Sequence, residues 1–144
     1  MNSRLILLAV LAQVFLTIAM YIRLNFAKAS AIRRGEVDVA RRALHDDAWP
    51  DSVLKINNNI RNQFEVPVLF YVLVFALVAL DAVTTLAVLL AWLFVASRVA
   101  HAWVHVGSNY VPMRRRAFMF GCLIVIAMAL LAGFELVQHA HGSP

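Results

Sequence analysis

Between Val66 and Ser97 the chain carries a single charged residue, Asp81. As one straight helix, the apolar region from Ile56 to Val106 would be roughly 75 Å long at 1.5 Å per residue. That is more than twice the ~30 Å hydrocarbon core of a bilayer, so the chain must reverse within it. The sequence predicts the reversal at Asp81, whose carboxylate we expect to cap the following helix by accepting from the backbone N–H groups near Val83 and Thr84.

Composition places the chain in a membrane. Hydrophobic residues make up 62% of it, charged residues 15%, and its mean hydropathy is +0.77, which is too apolar for a soluble domain of 144 residues. The run Leu5 to Ile22 is uncharged, about 18 residues long, and followed by no convincing small-x-small cleavage site. We therefore interpret it as a retained transmembrane helix rather than a secretion signal.

Four membrane spans are predicted, at about residues 4–27, 56–80, 82–106 and 113–137. They indicate a single all-α domain, residues 1–144, folded as an integral membrane four-helix bundle. A β-barrel is disfavoured because the apolar runs lack strict alternation.

The basic residues predict the orientation of a multi-pass protein. Seven Lys or Arg residues lie between Lys28 and Arg61, and three follow the third span at Arg114 to Arg116. The positive-inside rule puts both segments in the cytoplasm and both termini outside. The net charge of +5 fits this role and contact with membrane lipids rather than nucleic-acid binding. The lone Cys122 cannot form an intrachain disulfide, and we interpret it as a packing residue.

The long cytoplasmic segment, residues 28–52, mixes both signs of charge and is interpreted as a solvated linker. Within it, Ala40 to Leu44 is predicted to form a short surface helix that ends before Pro50.

Polar residues cluster at the start of the second span. Asn58, Asn62 and Glu65 are four and three apart and share one helix face, and Arg61 is placed to pair with Glu65. Pro67 lacks an N–H, so it predicts a kink and a free carbonyl at Gln63. The alternative is an amphipathic helix start whose polar residues face water.

A second polar stripe lies on the third span, where Arg98, His101 and His105 follow each other at i, i+3 and i+7. If the stripe faces the second span, Arg98 can meet Glu65, because opposite charges at this depth cost less together than apart. The pair would either fix helix register or form a polar pocket open to the cytoplasm. His101 and His105 also have the spacing of a helical metal pair, on too few ligands to predict a metal site.

The segment from Asn109 to Arg114 is predicted to be a turn followed by a helix start. Arg114 to Arg116 then lie at the membrane edge, where most such charges set topology or contact lipid headgroups and one can point inward.

These motifs together resemble the MAPEG family, the membrane-associated proteins of eicosanoid and glutathione metabolism. The similarity covers nearly the whole chain and is closest to the small bacterial members. It rests on three segments, Asn62 to Tyr71 (Asn-x-x-Glu-x-Pro-Val-Leu-Phe-Tyr), Arg98 to His105 (Arg-x-x-His-x-x-x-His) and Asn109 to Arg114 (Asn-x-Val-Pro-x-Arg).

The resemblance implies a homotrimer in the bacterial inner membrane with glutathione as co-substrate, bound between subunits at the cytoplasmic side. Carried over by position, Asn62 and Glu65 would bind glutathione, Arg114 would stabilise its thiolate, and Arg23 would be a further anchor. The expected activity is that of a glutathione-dependent transferase or peroxidase acting on lipophilic small molecules. The alternative is a non-catalytic lipid-binding or scaffolding protein of the same fold.

The chain also departs from the family pattern. The family's glutathione-binding Arg, four residues before the Asn, is Asn58 here, and the frequent Tyr pair on the third helix is replaced by His101 and His105. Arg61 or Arg98 would then have to replace the missing cation. An Arg beside a thiol still lowers the thiol pKa, so the chemistry assigned to Arg114 remains available.

Overall fold

The computed structural model describes residues 1–142, with side chains as far as residue 138, and contains only helices within them. Ser143 and Pro144, the end of the tail predicted to lie outside, fall beyond the described residues. The helices are α1 (Asn2–Arg33), α2 (Asp51–Gln63), α3 (Val66–Ala79), α4 (Thr85–Val106) and α5 (Val111–Gly142), with a 3₁₀ turn at Asp46–Ala48.

Four segments are long and apolar enough to cross a membrane, namely Asn2–Arg33, Asp51–Ala79, Thr85–Val106 and Val111–Gln138. The second of them consists of α2 and α3 in succession. The predicted all-α membrane fold is confirmed.

The bundle packs around two apolar clusters. In the larger one, the rings of Phe70 on α3 and Phe94 on α4 stack with centroids 4.5 Å apart, beside fully buried Ile6 and Met128. The smaller cluster joins α1 to α2 through Leu24, Ala31, Val53, Ile56 and Ile60. Because α2 is held against α1 in this way, its polar face is presented to α4 and α5.

The break between α2 and α3 falls at Phe64 and Glu65, and Pro67 lies in the first turn of α3. Proline fits there because the first turn of a helix has N–H groups without internal acceptors. The predicted interruption is therefore confirmed. The exposed acceptor that the structure uses is the carbonyl of Asn62, which accepts from Arg98, rather than the predicted carbonyl of Gln63.

The reversal between α3 and α4 lies where it was predicted, but its cap is different. Asp81 adopts a left-handed conformation with φ of 50°, and Thr84 is the N-cap of α4, its side chain accepting from the Ala87 N–H at 3.2 Å. The prediction that Asp81 caps α4 is wrong, because Asp81 is used in the turn three residues before the cap.

The segment between α1 and α2 is a series of turns stabilised by surface ion pairs, and the helix predicted at Ala40 to Leu44 does not form. Asp38 accepts from the backbone of the following turn, and Arg41 pairs with Asp47 at 2.8 Å. The hydrogen bond from Arg41 is the main cause that lowers the pKa of Asp47 below its ordinary value. Trp49 lies under the ammonium of Lys28, 4.9 Å from ring centroid to nitrogen.

Candidate functional site

The end of α2, the second half of α4 and the start of α5 enclose an unusually polar region. In the second half of α4, four of the buried side chains are polar or charged, namely Ser97, Arg98, His101 and His105. Polar groups removed from water need hydrogen-bond partners, so the partners of these four side chains define the structure of the site.

A chain of amide side chains links α1 to this region. Gln13 donates to Gln63 at 2.8 Å, and Gln63 donates to Asn59 at 3.3 Å. The amide nitrogens of Asn59 and Asn62 both lie 3.5 Å from Nδ1 of His105. Gln13, Asn59 and Gln63 were not predicted as site residues. Gln13 had a signal in the sequence, since it is the only amide within the run Leu5 to Ile22.

Arg98 is completely buried. Its Nη2 donates to the carbonyl of Asn62 at 2.9 Å, and its guanidinium carbon lies 5.6 Å from the centroid of the Phe118 ring. Nε and Nη1 have no hydrogen-bond partner among the described residues. The side chain of Glu65 is exposed and forms no ion pair with Arg98 there, so the expected contact between these two residues is wrong. Arg98 instead donates a hydrogen bond to a backbone carbonyl of α2.

His101 connects α4 to the first turn of α5. Its Nδ1 lies 3.1 Å from the carbonyl oxygen of Arg114. A carbonyl only accepts, so Nδ1 carries the proton and Nε2 of the neutral ring holds the lone pair. Nε2 is buried without a partner among the described residues.

The two histidines lie together, since the rings of His101 and His105 are 5.3 Å apart, centroid to centroid. Within the described part of the chain, no group of three or more His, Cys, Asp or Glu residues is placed to hold a metal ion. The pair therefore has no third ligand among the described residues, and its contacts are with Asn side chains and a backbone carbonyl.

Arg114 lies between two cavities near the start of α5. Its Nη1 donates to Oδ1 of Asn109 at 2.6 Å, and Asn109 is in a left-handed conformation with φ of 53° that brings its side chain back toward α5. One cavity, of about 270 Å³, is lined by Asn62, His101, Val111, Arg114, Arg115 and Phe118. The other, of about 230 Å³, is lined by Asp51, Leu54, Lys55, Asn58, His105, Asn109 and Arg114.

The structure thus brings Asn62, His101, His105 and Arg114 together around these two cavities. Arg98 lies behind them, against Asn62 and Phe118. Two cations that line the cavities were not predicted as site residues, Arg115 beside Arg114 and Lys55 on α2. Lys55 lies one turn before Asn58. Its sequence signal was the three-residue spacing from Asn58, which puts both on one face.

Two predicted cations lie elsewhere. Arg61 forms an ion pair with Asp46 at the exposed surface, so the expected pair with Glu65 is wrong. Arg23 lines a separate cavity between α1 and α2. Glu65 lines neither of the cavities at Arg114.

Electrostatics around Arg114 favour an anion. Val111 and Arg114 belong to the first turn of α5, and Arg115 follows it directly. At the start of a helix, N–H groups without helical acceptors and the helix dipole attract negative charge. Lys55 adds a cation on the opposite wall, partly offset by Asp51. A thiol placed there would ionise more readily than in water.

The model of the MAPEG family matches residues 6–134, which include every side chain lining the two cavities. No curated protein matches the chain.

Proposed function

The chain belongs to the MAPEG family, and from this premise we propose that it binds glutathione beside Arg114 and activates its thiol. The thiolate then attacks lipophilic electrophiles that reach the site from the bilayer. The observation that supports this most directly is the position of Arg114, which lines both cavities and is held by Asn109 in the first turn of α5.

Each residue of the site has a role in this proposal. The guanidinium of Arg114 stabilises the thiolate, which lowers the thiol pKa and raises the fraction of nucleophile at neutral pH. Asn62 and Lys55 offer a hydrogen-bonding amide and a cation to the polar backbone and carboxylates of the tripeptide. His101 positions Arg114, because its Nδ1–H holds the Arg114 carbonyl.

The apolar part of the reaction would take place beside Val111 and Phe118, which line the first cavity. The sulfur forms a bond to the electrophilic carbon of a transferase substrate. In a substitution, the bond from that carbon to the leaving group breaks and the group departs with its electron pair. In an addition, the π electrons move to a neighbouring atom, which takes up a proton. With a lipid hydroperoxide, the sulfur would instead attack the terminal peroxide oxygen and break the O–O bond, and the released alkoxide takes up a proton to become the alcohol. The sulfur is left as a sulfenic acid, which a second glutathione converts to the disulfide and water.

We propose that the functional unit is a homotrimer with the site completed by a neighbouring subunit. Cavities of 270 and 230 Å³ fall below the about 300–1,000 Å³ typical of ligand sites. A second chain that covers the open side of Arg114 would supply the missing walls and exclude water. The site would face the cytoplasm of a bacterial cell, where glutathione is available.

A titration of detergent-purified protein with glutathione, read by the ultraviolet absorbance of the thiolate near neutral pH, tests the proposal. We expect a saturable signal that falls at least about tenfold in Arg114→Ala, since a stabilising donor of this kind is worth about 10²–10³ in rate. Arg116→Ala is the matched control, because Arg116 is exposed, two residues away, and lines neither cavity.

The outcomes separate two functions. A signal lost in Arg114→Ala and kept in Arg116→Ala supports a thiol-activating enzyme, and turnover of an aryl halide then tests the transferase activity. If the wild-type protein shows neither thiolate absorbance nor thermal stabilisation by millimolar glutathione, the proposal is wrong. The same fold would then serve as a non-catalytic lipid-binding or scaffolding protein.

A further inference from the structure

A cavity of about 380 Å³ lies between α1 and α2; it is lined by neither Asn58 nor Arg114, but Lys55 lines both it and the cavity at Arg114. The residues that α1 contributes are spaced three, four and seven after the first, so they form one face of the helix, and Arg34 continues this face at its C-cap. The complete lining is Arg23, Phe26, Ala27, Ser30, Arg34, Ser52, Lys55, Ile56 and Val106.

The cavity lies at the level of lipid headgroups. Arg23 is the first charged residue after the run Leu5 to Ile22, which spans about 27 Å at 1.5 Å per residue. That length is close to the ~30 Å hydrocarbon core. Arg23 therefore lies where the phosphates of the cytoplasmic leaflet begin, and the cavity extends from there along α1 toward the cytoplasm.

Of the three cations that line this cavity, only Arg34 has an ion-pair or hydrogen-bond partner among the described residues. Arg34 forms an ion pair with Glu36 at 2.8 Å and donates to the hydroxyl of Ser30 at 2.5 Å. Within the described residues, Arg23 and Lys55 have neither an ion-pair nor a hydrogen-bond partner. The hydroxyl hydrogens of Ser30 and Ser52 are also available to donate. Two free cations and two hydroxyls are the groups that recognise a phosphate diester.

Apolar surface adjoins this polar cavity on its membrane side. Phe26 is 72% exposed at its rim, and Ile22 and Ile18 are 52% and 46% exposed further along α1. An occupant with a phosphate and hydrocarbon chains would satisfy both surfaces at once. Free phosphate would leave the apolar surface uncovered, and a choline headgroup would bring a cation next to Arg23 and Lys55.

We propose that this cavity binds the headgroup of an anionic phospholipid, an assignment that goes beyond the thiol site although the two cavities share Lys55. The phosphate diester contacts Arg23 and Lys55 and accepts from Ser30 and Ser52. The acyl chains run along the exposed apolar face of α1. Arg23, predicted as a glutathione anchor, thereby becomes a lipid-binding residue.

Thermal unfolding of the detergent-purified, delipidated protein tests this, with phosphatidylglycerol and phosphatidylcholine added in parallel series. We expect saturable stabilisation by phosphatidylglycerol and little by phosphatidylcholine. Arg23→Gln should raise the midpoint concentration of phosphatidylglycerol about fivefold, because one cation at the level of the headgroups contributes about 1 kcal/mol. Arg33→Gln is the matched control, because it removes the same charge from the same helix at an exposed position outside the cavity.

Several results would overturn the proposal. If Arg33→Gln raises the midpoint concentration of phosphatidylglycerol as much as Arg23→Gln does, the lipid is attracted only by the overall positive charge of this region. Equal stabilisation by inorganic phosphate would identify a free-phosphate site. Because Lys55 lines both cavities, competition by glutathione is also measured in Lys55→Gln. Displacement of phosphatidylglycerol by glutathione that persists in this variant would assign the cavity to the thiol site. If Arg23→Gln does not fold, Arg23→Lys and Ser30→Ala provide the comparison, with binding kept in the first and weakened in the second.

Discussion

Asn58 lies in the cavity where the MAPEG pattern has an arginine, and this single difference changes how the cavity can hold a carboxylate. Its amide can hydrogen bond but carries no charge, so Lys55 and Arg114 are the cations of that cavity. Arg61 and Arg98, the substitutes suggested by sequence, are committed to Asp46 and to the Asn62 carbonyl. Lys55 is a flexible point charge that cannot form the bidentate pair that an arginine forms.

Restoring the arginine should therefore strengthen glutathione binding. We expect Asn58→Arg to lower the dissociation constant about tenfold, since a charge-assisted hydrogen bond contributes about 1.5–3 kcal/mol. Isothermal titration of the detergent-purified protein with glutathione measures it. Asn57→Arg is the control, because it adds the same charge one residue away and outside the cavity lining. Equal gains in both variants would mean that the site has no localised carboxylate contact.

At the scale of elements, the interruption between α2 and α3 determines what α4 can contact. Because the helix ends at Gln63, the carbonyl of Asn62 is open to Arg98. A continuous helix would use that carbonyl for the N–H of Val66 and leave the Arg98 guanidinium with no acceptor on α2.

Proline at this position should cost little stability. Pro67→Ala is expected to change the free energy of unfolding by less than about 1 kcal/mol, because the first turn of α3 leaves its N–H groups without helical acceptors in any case. Unfolding in a denaturing detergent series measures this. A stabilisation of about 3 kcal/mol, the value for proline inside a helix, would show that α2 and α3 are continuous in the membrane.

The sequence could predict the elements better than their contacts, and the reason lies in the helices themselves. Span length and the missing N–H of Pro67 are local properties. The partners of Arg61 and Gln13 depend instead on how each helix is rotated about its axis. The spans α1, α3 and α5 are apolar on nearly every side, so no periodic pattern indicates which face turns inward.

The candidate site shows the same limit. His101 and His105 were predicted because polar residues are costly in a membrane and so are conspicuous in the sequence. Asn62 and Arg114 were assigned to the glutathione site by their positions in the motifs that resemble the MAPEG family. Lys55 was missed because it lies in a segment where charge is ordinary. The contact between Arg98 and Asn62 was missed because a backbone carbonyl has no signature in the sequence.

At the scale of the whole molecule, function requires a defined orientation in the bilayer. Arg114 and the loop between α1 and α2 lie at one end of the bundle, together with most of the Lys and Arg residues. The turn between α3 and α4 lies at the other end. Because short basic loops stay on the cytoplasmic side, both cavities at Arg114 should open where a soluble thiol is abundant.

Labelling of single cysteines with a membrane-impermeant maleimide tests this orientation, in a Cys122→Ser background that removes the chain's own thiol. Thr85→Cys, at the exposed start of α4, should react in intact cells. Ala43→Cys and Ser108→Cys, both exposed in the opposite loops, should react only after permeabilisation or in inverted vesicles. The reverse pattern would place Arg114 outside the cytoplasm, where it could not use cytoplasmic glutathione as co-substrate. Labelling of all three cysteines in intact cells would mean that the protein inserts in both orientations.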